Sequence, residues 1–274
     1  MTQQVRKRRE THRKESIDLY DIEEGLRANG YARVAGLDEA GRGPLAGPVC
    51  AAAVIFPQGT RIDGVNDSKQ LTHEQREELF VQIQEAGKVG VGLAFPEEID
   101  AVNILNATKL ACHRALQSLP ILPDYLLLDA LTLGNCTIPQ EGLVKGDARC
   151  FSIAAASIVA KVTRDRLMTR YAEEFPQYEF GRHKGYPTEF HYARIEEHGL
   201  STIHRRSFFD PGFLQDTKVF SVSFLSIHEA LRRATGEAEI REGIRLAREA
   251  TGFLPRREIE ELTRVAREAL LHYE

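Results

Sequence analysis

Five residues, Tyr125-Leu126-Leu127-Leu128-Asp129, restrict the fold more than any other stretch of the chain. Three consecutive leucines leave no polar face, so a strand here has to be covered on both sides. Strands of that kind are as a rule interior and parallel. Residues 32–38 read as another strand, Val49 to Phe56 as an apolar strand bounded by Pro48 and Pro57, and Val89 to Phe95 as a further one. Residues 143–147, Leu-Val-Lys-Gly-Asp, read as a short strand ending in an acid.

Helical signals alternate with these runs. Ser16 is placed to cap a helix over Ile17 to Ala28, closed by Gly30. Thr72-His73-Glu74-Gln75 matches a capping box and starts a helix to about Ala86. Pro96 opens a long amphipathic helix whose apolar positions are Ile99, Val102, Leu105, Leu110 and Leu116. Another helix covers about Ser152 to Phe175, and residues 176–215 read as irregular. Residues 225–274 hold nine Arg, no Lys and ten acids. Ile259, Leu262, Val265, Ala266, Ala269 and Leu270 form one stripe there, so two or three helices are expected. The pattern is α/β. It divides into a basic N-terminal extension with a short helix (1–30), a main domain (31–224) and a C-terminal helical appendage (225–274).

Asp38-Glu39, Asp129 and Asp147 all stand at the ends of expected strands. If those strands share a sheet in suitable directions, four carboxylates converge on one edge, where open α/β sheets place their ligands. Adjacent strand residues point to opposite faces, so Asp38 and Glu39 share a site only if the backbone turns there. Gly41-Arg42-Gly43 permits such a turn. Two carboxylates 4 Å apart repel by about 1 kcal/mol in water and about 4 kcal/mol at an effective dielectric of 20. A hard cation relieves this, and a donor set without His or Cys suits Mg²⁺ or Mn²⁺ better than zinc. Two such ions about 3.5–4 Å apart can drive in-line phosphoryl displacement. The bland alternatives are a solvated Asp-Glu pair and, for Asp147, an acid favoured by a helix N-terminus.

The net charge of −4, with 42% hydrophobic and 28% charged residues, is that of an ordinary globular chain. Its distribution says more. Residues 143–170 carry six Lys/Arg (Lys145, Arg149, Lys161, Arg164, Arg166, Arg170) against Asp147 and Asp165. A basic surround with an acidic centre is what a phosphate-bearing substrate needs, although a solvated helix face has the same composition. No stretch reaches transmembrane length, Met1 to Lys14 has no apolar core of a signal peptide, and the four scattered cysteines read as reduced thiols. A cytoplasmic location without membrane contact is expected.

Six blocks, GLDEAGRGPLAGPVCAAAVI, DSKQLT, LLLDAL, KGDARCFSIAAASIVAKVTRDR, GRHKGYPT and IHRRSF, lie in this order within residues 34–209. In content and order they resemble bacterial ribonuclease HII. The related ribonuclease HIII lacks the Gly-Arg-Gly turn. The resemblance implies a ribonuclease H-like mixed sheet flanked by helices; Mn²⁺ or Mg²⁺ as the cofactor and a monomeric chain are expected. It implies cleavage of RNA in RNA–DNA hybrids and of ribonucleotide-containing duplex DNA, 5′ to the ribonucleotide, leaving 3′-hydroxyl and 5′-phosphate ends. Position by position, Asp38, Glu39, Asp129 and Asp147 become the catalytic metal-binding acids. Gly41, Arg42 and Gly43 become the turn that reads the ribose 2′-hydroxyl, and Tyr186 becomes the ring that stacks on the following sugar. Lys69, Lys145, Lys161, Arg164 and Lys184 are candidates for phosphate contacts, while Tyr186 read alone is equally a loop anchor. His183 and His204 are candidates for backbone contact or proton transfer, with a structural role for His204 the alternative. Two other readings stay open: a different carboxylate-dependent nuclease on a similar sheet, and a non-catalytic hybrid-binding module.

Overall fold

The leucine run is an interior strand. The computed structural model describes residues 18–210, 222–250 and 256–271. Its sheet contains β1 (Val34–Ala40), β2 (Val49–Ile55), β3 (Lys88–Ala94), β4 (Tyr125–Asp129) and β5 (Gln140–Leu143), in the spatial order β3-β2-β1-β4-β5. β4 runs parallel to β1 and β5, whereas β1–β2 and β2–β3 are antiparallel. The sheet is therefore mixed, and Leu126, Leu127 and Leu128 are buried between its covering layers.

Alternation along the strands assigns each residue to a layer. Ala35, Leu37, Leu126 and Leu128 pack with α3 (Pro96–Gln117) on one face. On the other face Cys50, Ala52 and Val54 pack with α2 (His73–Ala86) and α4 (Phe151–Glu174), and Val34 and Leu127 meet Ile153 at the start of α4. Gly36 lets α4 sit directly on β1, because a Cβ there would lie 2.2 Å from the Ser152 carbonyl carbon. The first turn of α4 has no side-chain cap of its own. Glu23 of α1 (Asp21–Ala28) supplies one: its buried carboxylate accepts the Ser152 N–H at 2.7 Å. Thr72 caps α2 in the expected capping box.

Several expectations are corrected. The first helix begins at Asp21, not Ile17, and Ser16 lies outside the described residues. In α3, Asn103 adopts φ 68° and ψ 165°, which breaks the helix and resets its phase. Val102 and Leu105, which flank the break, are exposed, whereas Ile99 and Leu116 are buried as expected together with Ala107, Thr108, Ala111, Cys112 and Ala115. The strand expected over 143–147 ends at Leu143. Lys145 turns left-handed at φ 56°, and Asp147 sits in the following 3₁₀ turn, Gly146–Ala148. Residues 176–215 are less irregular than expected, for they include α5 (Phe180–His183) and α6 (Glu189–His198), the latter capped by Thr188.

Towards the C-terminus lie α7 (Val222–Arg233), α8 (Glu237–Ala250) and α9 (Arg256–Leu271). Phe224, Ile227, Leu231, Leu262 and Val265 form their common core. Leu270 of the expected stripe is exposed. Among the described residues no helix is long and apolar enough to cross a membrane. All four cysteines are free thiols, and burial pushes the Cys50 and Cys150 thiols up to about 12.

Candidate active site

Parallel pairing decides which acids meet. Leu37 of β1 is in register with Leu128 of β4, so the next residues, Asp38 and Asp129, leave the sheet side by side on the α4 face. Asp147 reaches the same point from the turn before α4. One carboxylate oxygen from each of the three lies within 4.8 Å of the others. The Gly146 N–H donates to Asp129 Oδ1 at 2.7 Å, which ties the Asp147 turn to the end of β4. The Glu39 N–H donates to Asp38 Oδ1 at 2.7 Å.

Negative charge is in surplus here. Burial, then the neighbouring Glu39 and Asp129 carboxylates, raises the Asp38 carboxyl well above its ordinary range. Burial, then Asp67 and Asp129, also raises Asp147 against the opposing pull of Lys69. Lys69 Nζ lies 3.6 Å from Asp147 Oδ2 on a side chain that is 79% exposed. Burial works against its charge, but Asp67, Asp147, Asp38 and Asp129 together hold its ammonium above the usual value. A single exposed ammonium does not neutralise three clustered carboxylates. Oxygen donors alone, close together and short of positive charge, fit a hard divalent cation such as Mg²⁺ or Mn²⁺.

Glu39 is not in this trio. β1 continues to Ala40, so no turn separates the two acids, and alternation sends Glu39 towards the α3 side. There Arg42 Nη1 donates to its carboxylate at 3.1 Å. Burial raises the Glu39 carboxyl, and Arg42 opposes that shift. The expected convergence of four carboxylates is thus a group of three with Glu39 at its flank.

The Gly41-Arg42-Gly43 turn follows β1 directly. Gly41 has φ +92°, and a Cβ there would lie 2.0 Å from Arg164 Nε, so no other residue fits. A Cβ at Gly43 would meet nothing within 4 Å, so the space above that residue is open. Arg164 is only 1% exposed. Its guanidinium donates to the carbonyls of Pro48, Lys184 and Ala46 at 2.9, 3.0 and 3.0 Å. The expectation that Arg164 contacts phosphate is therefore corrected: the side chain is buried, and each of its guanidinium nitrogens donates to a backbone carbonyl. Arg205, also buried, does the same for Gly47, Arg42 and Gly41 at 2.8, 3.0 and 2.6 Å. Sequence reading missed Arg205, although it lies in the quoted IHRRSF block.

Tyr186 stands on the neighbouring turn with its ring exposed and Lys161 Nζ 5.7 Å from the ring centroid. Lys161 is paired with Asp165 at 2.8 Å, and Lys184 Nζ donates to Thr169 Oγ1 at 2.7 Å. Lys145 is exposed beside the Asp147 turn. Arg166 of the basic stretch pairs with Glu77.

The histidines are structural. His183 accepts the Gly185 N–H at Nδ1 and uses Nε2 on the Tyr178 carbonyl. His204 accepts the Ser201 N–H at Nδ1, so its Nε2–H donates to His191 Nε2 at 3.1 Å. His191 must then donate from Nδ1 to the Tyr186 carbonyl at 3.0 Å. Burial holds His191 neutral, down to about 4, and lowers His204 as well. Both nitrogens of all three rings are occupied, which leaves none for proton transfer. His191 was not singled out in the sequence.

The Ribonuclease HII family model matches residues 35–210, which contain the trio and both turns. A Ribonuclease HII from Clostridioides difficile (strain 630) is 51% identical over 202 residues, covering 73% of this chain and 78% of that protein. One from Desulfitobacterium hafniense (strain DSM 10664 / DCB-2) is 54% identical over 187 residues, covering 68% and 72%. The crystal structure of ribonuclease H2 from Pyrococcus horikoshii OT3 superimposes with a TM-score of 0.54 at 33% identity, over 64% of this chain and 93% of that one. The RNase HII of Archaeoglobus fulgidus, solved in complex with PCNA, gives 0.51 at 27% identity, over 64% and 93%. The sheet order, the acids at its rim and these matches agree, and the chain belongs to the ribonuclease HII family of divalent-metal-dependent endoribonucleases.

Proposed function

We propose that this endoribonuclease cuts RNA–DNA hybrids and single ribonucleotides embedded in duplex DNA. Cleavage falls 5′ to the ribonucleotide and leaves 3′-hydroxyl and 5′-phosphate ends. The observation that carries the reading is the carboxylate trio of Asp38, Asp129 and Asp147 beside the Gly41-Arg42-Gly43 turn. Asp38, Asp129 and Asp147, with Glu39 at the flank, hold Mn²⁺ or Mg²⁺. Bound there, such cations would offset charge on the scissile phosphate and lower the pKa of an attacking water.

The protein's own groups do the rest. The backbone of the turn approaches the ribose closely enough to read its 2′-hydroxyl, the group that distinguishes RNA from DNA. Tyr186 offers a flat exposed face to the next sugar, in line with its 39% exposure. Lys69, Lys145, Lys161 and Lys184 ring the site with positive charge towards the phosphates. Residues 31–224 carry this chemistry in a cytoplasmic monomer, and 225–274 form the appendage.

The test is cleavage of a duplex with one ribonucleotide, with and without Mn²⁺, mapped at nucleotide resolution. A single Mn²⁺-dependent cut immediately 5′ to the ribonucleotide is the expected result. Cutting from the ends, or none at the ribonucleotide, overturns the proposal.

A further inference from the structure

Among the described residues Arg164 and Arg205 are the largest side chains buried almost completely, yet neither is hydrogen-bonded to a carboxylate there. Their six guanidinium nitrogens instead pin six backbone carbonyls: Gly41, Arg42, Ala46, Gly47 and Pro48 on the first turn, and Lys184 on the tyrosine turn. Burying a guanidinium is costly unless its nitrogens find acceptors, and here each of the six nitrogens donates to a carbonyl. Arg164 also lies under the missing side chain of Gly41 and 5.8 Å from the Tyr186 ring. The two turns are further joined by the Leu45 N–H, which donates to the Gly185 carbonyl at 2.7 Å.

Peptide planarity gives this clamp a consequence. In a trans peptide the C=O of one residue and the N–H of the next point in opposite directions, and among the described residues no peptide bond is cis. Drawing the Gly41 and Arg42 carbonyls inward onto Arg205 therefore turns the N–H groups of Arg42 and Gly43 outward. Among the described residues neither N–H has a backbone acceptor. They flank the open space above Gly43.

We infer that Arg205 and Arg164 are positioning residues for ribose selectivity: they fix two outward amides and the Tyr186 turn as one rigid reading surface. The inference rests on the proposed ribonucleotide reading. Selectivity is then sensitive to fork geometry, and not only to charge. A lysine keeps the charge but cannot span three carbonyls in one plane.

The experiment uses Arg205→Lys, with Arg164→Lys as the second variant, in the full chain. Measured together are thermal melting, KM for a duplex with one ribonucleotide, and Ki of the same duplex in all-DNA form as competitor. A misplacement of about 1 Å costs on the order of 100-fold, so KM is expected to rise about tenfold or more. The all-DNA Ki, set by phosphate contacts, should stay within about twofold of wild type. Parallel weakening of both duplexes, or no change in either with cooperative melting retained, overturns the inference. If neither lysine variant melts cooperatively, the forks serve the fold alone and the inference is wrong. A wild-type protein that does not prefer the ribonucleotide duplex would instead bring down the functional reading, and this inference with it.

Discussion

Two charged regions lie within a few residues of each other and are built on opposite rules. At the rim, Asp38, Asp129 and Asp147 crowd negative charge that local cations leave uncompensated. Beneath the adjacent turn, Arg164 and Arg205 bury positive charge and give each guanidinium nitrogen a backbone carbonyl. An unsatisfied cluster is poised to take up a cation at a cost in stability, whereas a satisfied one rigidifies what surrounds it. Removing a charge should therefore have opposite effects on the two regions.

The largest expected effect is on catalysis. Asp129→Asn should cut the rate of ribonucleotide cleavage by roughly 100- to 1000-fold, the scale of losing one preorganised electrostatic group. The same change should leave the metal-free protein as stable or up to roughly 1 kcal/mol more so, since it removes a repulsion. Gel-based rates and denaturant unfolding measure the two. Arg205→Met should do the reverse to stability: three carbonyls lose their donors, at about 1–3 kcal/mol for each group left unsatisfied. A drop of about 3 kcal/mol or more in unfolding free energy is expected, and a loss below about 1 kcal/mol would erase the contrast.

The pH dependence is the smallest effect and differs in sign between groups. Asp38 and Asp147 have raised values in the folded state, so the folded chain binds protons more readily than the unfolded one. Their contribution is full below the ordinary value of 3.8 and is lost as pH rises through the raised folded values. His191 and His204 are depressed, so their contribution is full above the ordinary 6.5 and falls as pH drops towards about 4. Acidification thus relieves the rim and strains the histidine pair behind Tyr186. In Asp38→Asn the first term is gone, so the metal-free variant should lose melting temperature more steeply than wild type below pH 6.5. Parallel profiles would show that Asp38 does not carry the excess charge.

What was legible in the sequence is what short-range physics determines. The leucine run declared β4 to the residue, and Thr72 and Gln75 declared the start of α2, because each signal is complete within a few positions. Asp129 was legible as a strand-end acid, whereas Asp38 lies two residues before the end of β1. Their side-by-side placement required the parallel register of β1 with β4, which no local pattern specifies. Glu39 was misplaced because the turn was expected one step too early; alternation, applied strictly, sends it to the other face. In α3 the expected positions Ile99 and Leu116 are buried, but Val102 and Leu105, on either side of the break at Asn103, are exposed. Arg164 looked like a surface cation because arginine is rarely buried. Its partners are carbonyls as far away as Ala46 in sequence, which composition cannot reveal. The histidine chain from Ser201 to Tyr186 was hidden for the same reason.

The most direct test of the rim is the stabilisation given by Mn²⁺ to wild type and to Asp38→Asn. At tenfold over its dissociation constant, one bound ion should stabilise wild type by about 1.4 kcal/mol, read as a rise in melting temperature that EDTA reverses. The variant should show little or none of that rise. Unchanged melting of wild type in Mn²⁺, or an equal rise in the variant, would contradict the assignment of the metal to these carboxylates.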